Sequence, residues 1–329
     1  MPRISIVGAG MVGRGLIGEL FAEAGWEVSF LDVDQQLLEL LNAQGGYEHK
    51  TVSNAGAREK WVPVARSVHV NSAEAPALLA ESDLVATSVG ARVLPSLAPL
   101  LASARKLSGR PIDVLLCENL HAADRRLGYA LAALGAEPDD FGLVRTVVGR
   151  MIPAAGPDAG AAVVVEPYGE LPIDTAAKRR GGELPARVIQ DGSIPFDFYE
   201  DRKLAVHNLG HFLAALLGLD RGAEYLWQAI SMPEIWGLTF AAMCESSAGL
   251  SSRYSVKMSA LLTYIYDLLE RFGNQALADP CTRVARDPQR KLGKGERVSR
   301  ALELAESAGA PLKHLELARG LALEARGKL

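Results

Sequence analysis

Along the first half of the chain, short apolar runs alternate with longer segments whose apolar positions recur every three to four residues. Ile4–Val7, Trp26–Leu31, Ser67–Val70, Leu84–Thr87 and Ile112–Leu116 read as strands. Leu16–Ala24, Gln35–Leu41, Val93–Ala102 and His121–Leu134 read as helices between them. Gly25 stands where the first helix should stop, and Asp34 where the second should be N-capped. Strands alternating with helices predict an α/β fold, a doubly wound and largely parallel sheet covered on both faces. Two further strands, Arg145–Arg150 and Ala161–Pro167, are expected on either side of an Ala/Gly/Pro loop at 153–160. The polar, glycine-rich passage at 174–186 is the best linker candidate. Beyond it strand signals fade, and helices such as Lys203–Leu217, which Gly218 would end, and Ser255–Phe272 take over. The expected organisation is an α/β domain over residues 1–193 and a mostly α-helical second domain over 194–329.

Composition narrows the class without naming a function. A chain of 329 residues can bury two cores without cross-links. Its three cysteines, Cys117, Cys244 and Cys281, are far apart and form neither a disulfide framework nor a CxxC metal site. No Cys/His/Glu cluster has zinc spacing, so no metal is expected. The formal net charge of −4 advertises neither a nucleic-acid nor a membrane surface. Phe212–Leu219, the most apolar short stretch, is far below the ~20 residues of a spanning helix. The opening apolar run is cut by glycines too early for a signal peptide. A reduced, cytoplasmic setting is the expectation. GxxxxGK[ST], HExxH and GxSxG motifs are absent from the sequence.

The strongest local motif follows the first strand. Gly8, Gly10 and Gly13 form GxGxxG, with Ala9, Met11 and Val12 between them, at the opening of a helix. Gly8 permits the tight turn, Gly10 lets backbone approach a pyrophosphate, and Gly13 allows strand and helix to pack closely. Asp32 closes the next strand 19 residues after Gly13, where a carboxylate can bond both ribose hydroxyls and repel a 2′-phosphate. This constellation predicts a Rossmann-type domain that binds NAD. Thr87, Val89 and Gly90 close a later strand at the same sheet edge and are expected beside the cofactor.

What is oxidised must come from other residues. Lys203, Asn208 and His211 lie in one predicted helix; advancing ~100° per residue, they fall at about 0°, 140° and 80°. His207 lies in the same arc. Oxidation of a secondary alcohol needs a base for the hydroxyl proton, which a lysine provides when burial or a neighbouring cation lowers its pKa. Amide donors can stabilise a developing alkoxide. On spacing alone, Lys, Asn and His on a helix most often form a solvated polar face.

Lys-x4-Asn-x2-His after a Rossmann domain resembles the polyol-specific long-chain dehydrogenase/reductase (mannitol dehydrogenase) family. Other passages are similar to that family as well: the run Gly8–Gly18, Cys117-Glu118-Asn119, Arg150–Pro153, Arg271-Phe272, Arg283-Val284, Arg286–Leu292 and Gly295–Arg297. The similarity runs from residue 4 to about 312. It implies an NAD-dependent oxidoreductase without a metal, interconverting a polyol or its phosphate and the matching ketose. The Gly8–Gly18 run points first to D-mannitol 1-phosphate and D-fructose 6-phosphate. Free polyols such as mannitol, a sugar acid, and a non-catalytic NAD sensor are the alternatives. By the same resemblance Lys203 would be the base, Asn208 and Asn119 an oxyanion-type pair, His211 a substrate-orienting group and Glu200 part of a proton relay. Among the basic residues of 283–300, Arg290 and Lys291, and further upstream Arg150, are the candidates for substrate contacts. The sequence departs from the family at Met11, where an asparagine is usual, and at Gly149, where an aspartate usually precedes the arginine. The sequence leaves the oligomeric state open.

Overall fold

The computed structural model describes residues 1–153 and 160–325, so most of the loop expected at 153–160 lies outside the described residues. The chain divides into two compact units, Met1–Ser193 and Ile194–Leu329.

Unit 1 is built on a parallel sheet of six strands: β1 (Arg3–Val7), β2 (Glu27–Asp32), β5 (Arg66–His69), β6 (Leu84–Thr87), β7 (Ile112–Leu116) and β8 (Phe141–Arg145). Their order is β5-β2-β1-β6-β7-β8, the Rossmann arrangement with its switch point between β1 and β6. Alternation along each strand serves both faces. Ile4, Ile6, Leu84, Ala86 and Leu115 enter one core, while Val7, Val85, Val114 and Leu116 enter the other. Each Val, Leu or Ile among them contributes roughly 1.5–3 kcal/mol on burial. Around the sheet run α1 (Glu19–Glu23), α2 (Gln35–Gln44), α3 (Ala75–Glu81), α4 (Ala98–Ser108) and α5 (Ala123–Ala132). The Asp34 carboxylate caps α2, accepting from Leu37 N at 3.1 Å.

Three features differ from the sequence expectations. The last sheet strand is Phe141–Arg145, not Arg145–Arg150: its register against β7 ends at Leu116↔Arg145, and Thr146 bridges instead to Ile173. The passage at 174–186 is no free linker, because the buried Asp113 carboxylate accepts from Arg179 N at 2.8 Å and Arg180 N at 3.1 Å. A hairpin absent from the sequence reading, β3 (Gly46–Ser53) and β4 (Gly56–Pro63), pairs through β3 with β9 (Val163–Val165).

Unit 2 is helical: α6 (Asp197–Arg202), α7 (Asn208–Asp220), α8 (Leu226–Ile230), α9 (Pro233–Tyr254), α10 (Met258–Phe272), α11 (Cys281–Ala285), α12 (Pro288–Lys291), α13 (Arg297–Ser307) and α14 (Lys313–Glu324). The long α9 packs against α7, α10, α13 and α14. Gly218 does not end α7, which runs on to Asp220. A Cβ there would lie 2.5 Å from that of Ala229, so this glycine permits the close approach of α8.

Unit 1 also carries a buried ionic hub. The Glu19 carboxylate accepts from Arg150 at 3.1 Å, from Arg187 at 2.9 Å and from Lys60. Burial pushes this carboxyl up, but the three cations outweigh burial and bring it down to about 2. An unfolded glutamate titrates near 4.5. The depressed folded value therefore contributes roughly 3 kcal/mol above that pH, lost as pH falls from 4.5 through 2. Glu19→Gln should lower stability at pH 7 by about 3–5 kcal/mol, since Arg150 is left buried without its counter-charge. Urea unfolding checks this; a variant as stable as wild type would show that the hub contributes nothing net.

Candidate functional site

The glycine turn emerges from β1 between β2 and β6. Gly8 N donates to Leu31 O at 2.7 Å, and Ser88 Oγ donates back to Gly8 O at 2.9 Å. Gly8 has φ +105°, and a Cβ on it would lie 2.6 Å from Ser88 O. On Gly13 a Cβ would lie 2.0 Å from Gly8 O, so helix and strand touch backbone to backbone. Gly10 is different: it is exposed, and a Cβ there would meet nothing within 4 Å. That open side is where a pyrophosphate fits, against the free N–H groups of a helix start. Met11 and Val12 are half-buried on the first helical turn. The helix passes through a π-turn, Gly13–Gly18, before continuing as α1.

Asp32 ends β2 beside this turn. Its Oδ2 accepts from Ala9 N at 2.6 Å and its Oδ1 from Val33 N and Asp34 N, so the carboxylate organises the loop it is expected to serve. Thr87 and Val89 share one partner, Glu118, to which the sequence assigned no role. Glu118 accepts from Thr87 Oγ1 at 2.9 Å and from Val89 N at 3.2 Å. Burial raises the Glu118 carboxyl, with those bonds acting in opposition. Gly90, with φ +87°, follows at the surface, as does Asn119 after β7. Arg14 was missed too: buried under the turn, its Nε donates to Ala9 O at 2.6 Å. The signal was a charged residue inside the glycine run.

In unit 2 the sequence placed Lys203, Asn208 and His211 on an α-helix. The helix is continuous from α6 into α7, but Lys203–His207 is π-helical, and Asn208 N donates to Lys203 O. An i→i+5 bond sets Asn208 above Lys203 much as i+4 stands above i in an α-helix, so the 140° separation does not apply. His207 shares the turn, its Nδ1 3.4 Å from Lys203 Nζ. Asn208 is 8% exposed, and its side-chain amide makes no hydrogen bond within the described residues. Its amide atoms are not among the fully buried unpartnered ones, so they reach solvent on this turn, where they can bond an oxygen of a bound molecule. Glu200, half-buried, sits one turn earlier.

The two histidines of this helix differ in surroundings. His211 Nε2 meets Asp279 Oδ2 at 3.1 Å, and Asp279 Oδ1 accepts from Arg283 Nε at 2.8 Å. Burial pushes Asp279 up, but His211 and Arg283 outweigh it and hold the carboxyl below its usual range. Burial lowers His211, against the pull of Asp279, leaving a neutral ring that donates from Nε2 and keeps Nδ1 as an acceptor. The main influences on His207 include no carboxylate. Burial drives its pKa well down, helped by the charges of Lys203, Arg271 and Arg297 and by His211. Asp279, 68 residues from His211, had no local sequence signal.

The three candidate substrate cations are engaged within the protein. Arg150 donates to Gly15 O and Tyr168 O besides Glu19. Arg290 pairs with Asp287 at 2.8 Å and Glu296 at 3.2 Å. Lys291 donates to Val284 O at 2.6 Å and to Arg286 O, over the Phe212 ring. Each of these cations already has acceptors within the protein, which the sequence alone could not show. At Gly149 a Cβ would lie 2.9 Å from the Tyr168 ring, which leaves no room for the family's aspartate.

A six-stranded sheet of this order, with its glycine turn and acidic β2 end, defines a Rossmann-type dinucleotide-binding protein with a helical C-terminal unit. Residues 2–185 match the mannitol dehydrogenase Rossmann domain, and residues 196–326 the mannitol dehydrogenase C-terminal domain. The chain belongs to the mannitol dehydrogenase family, and so to the oxidoreductases. Among solved structures it is similar to Pseudomonas fluorescens mannitol 2-dehydrogenase in ternary complex with NAD and D-mannitol, at 18% identity and TM-score 0.75, over 98% of this chain and 78% of that one. A substrate-free D-sorbitol dehydrogenase gives 15% identity and TM-score 0.81, over 98% and 80%. A 2-dehydropantoate 2-reductase from Geobacter metallireducens GS-15 gives 19% and 0.56, over 98% and 99%. At these identities the likeness is one of fold. Among the described residues, no helix is long and apolar enough to cross a membrane, and no group of three or more His, Cys, Asp or Glu could hold a metal ion.

Two measurements test this geometry. Gly10→Ala should leave the melting temperature unchanged yet weaken NADH binding about tenfold or more, because only a ligand meets the added methyl. Unchanged affinity would place the pyrophosphate elsewhere. In nitrogen-15 spectra the His207 ring should stay in one neutral tautomer from about pH 7 to pH 5; titration near 6.5 would contradict the burial and cationic surroundings described.

Proposed function

We propose that the protein is an NAD-dependent oxidoreductase interconverting a polyol, or its phosphate ester, and the corresponding ketose. The observation that carries the reading is the π-turn joining Lys203 to Asn208, whose amide has no partner in the described structure. NAD is the cofactor. The turn at Gly8, Gly10 and Gly13 suits its pyrophosphate, and Asp32 suits ribose hydroxyls while repelling a 2′-phosphate. Bound there, NAD supplies the hydride acceptor for the carbinol carbon, or the reduced form supplies the hydride.

The chain handles the proton. In oxidation, the neutral Lys203 amine takes the hydroxyl proton as the hydride leaves; in reduction, the ammonium returns it to the carbonyl oxygen. The Asn208 amide donates to that oxygen while negative charge builds on it. His211, held by Asp279, offers Nδ1 to a neighbouring substrate hydroxyl. Glu200, one turn before the lysine, passes the proton onward to solvent.

The first substrate pair is D-mannitol 1-phosphate and D-fructose 6-phosphate, on the resemblance of Gly8–Gly18 to the sugar-phosphate branch. A free polyol is the second reading, and one observation favours it. Within the basic segment Arg283, Arg290, Lys291 and Arg300 all have acceptors in the protein. This leaves fewer cations for a phosphate than the sequence promised.

Lys203→Ala should lower turnover about a thousandfold while leaving NADH affinity intact. Steady-state rates beside NADH fluorescence titration check this, and a variant with near-normal turnover would remove Lys203 as the base. Asp32→Ala should raise the use of NADP relative to NAD; unchanged preference would show that this carboxylate does not read the ribose.

A further inference from the structure

A polar cleft in unit 1 shares no residue with the glycine turn, with Asp32 or with the Lys203–His211 helix. It has a volume of about 470 Å³ and lies against α1 and the β3–β4 hairpin. Its lining follows from strand register. Tyr47 pairs with Val62, His49 with Lys60, Thr51 with Arg58 and Ser53 with Gly56, so these pairs share one face of the hairpin. Tyr47 and Val62 are buried in the main core. Towards the tip the same face turns polar, with Thr51, Arg58 and Lys60 opening on the cleft. An inward face that changes from core to charge in three steps is built to line a cavity rather than to fill one.

Charge in the cleft is unbalanced. Arg58, Lys60, Arg150 and Arg187 line it against only two carboxylates, Glu19 and Glu23. Glu19 is 3% exposed and anchors Arg150, Arg187 and Lys60 from below. Glu23 is 54% exposed on its side chain and shares Lys60 and Arg187, so it can give up its place to an incoming anion. Arg58 makes no ion pair within the described residues.

We propose that this cleft binds a small phosphorylated metabolite, its phosphate dianion held by Arg58, Lys60 and Arg187 with the Thr51 hydroxyl as a further donor. Guanidinium forks match phosphate oxygens, and the excess of two cations matches a dianion. The volume exceeds what the phosphate needs, leaving space for the rest of the molecule. The site does not depend on Lys203 being a catalytic base, and it stands or falls separately from the proposed reaction.

The test uses the full chain with saturating NAD, which fills the other phosphate-binding turn. Inorganic phosphate is titrated at ionic strength held constant with sodium chloride, and binding is read by calorimetry and by melting temperature. Wild type should show saturable binding and a raised melting temperature. Arg58→Ala, altering an exposed side chain, should keep the fold and weaken phosphate binding about tenfold or more. Arg126→Ala, which removes an exposed cation on α5, should bind as wild type does. A phosphate effect no larger than that of chloride, or equal affinities in the Arg58→Ala and Arg126→Ala variants, would overturn the proposal.

Discussion

A Cβ atom placed on Gly13 would lie 2.0 Å from the carbonyl oxygen of Gly8, and one on Gly8 would lie 2.6 Å from that of Ser88. Backbone contact at this point lets the first helix start directly over the ends of β1 and β6. Much of unit 1 is arranged around it. Asp32 holds Ala9, Arg14 holds the Ala9 carbonyl from beneath, and Ser88 bonds to Gly8. Each bond fixes backbone that would otherwise have to be ordered when a dinucleotide arrives, which is how preorganisation lowers the cost of binding.

Unit 2 makes a comparable use of backbone at Lys203–His207. One extra residue in the turn moves Asn208 from the far flank of the helix to a place above Lys203. The same turn carries a neutral, buried His207 beside the lysine. Asp279 and Arg283 meanwhile hold His211 one turn further on. In the proposed reaction this one helix would supply the base, the amide donor and the oriented imidazole, and rigid elements position such groups better than loops.

The parallel sheet was legible because apolar runs, glycine punctuation and the Asp34 cap all agree with one architecture. The glycine fingerprint was legible because strand, turn, helix and acid follow in order. The β3–β4 hairpin escaped notice because its inward face becomes polar, so the alternation that marks a half-buried strand fades along Thr51–Lys60. Periodicity placed Asn208 wrongly around its helix because it assumes α-helical advance. The 174–186 passage looks like a linker by composition, yet Asp113 of β7 pins it through two backbone N–H groups. Distant pairings such as His211 with Asp279 leave no local trace, and basic runs do not reveal which cations already have acceptors.

Polyol oxidoreductase activity is tested most directly by NADH oxidation with the purified protein and D-fructose 6-phosphate or, separately, D-fructose. Enzyme-dependent NADH consumption is expected with at least one of them, the phosphate ester identifying the sugar-phosphate branch and fructose alone the free-polyol branch. Tight NADH binding with no turnover of either ketose would contradict the assignment of this protein as a polyol oxidoreductase.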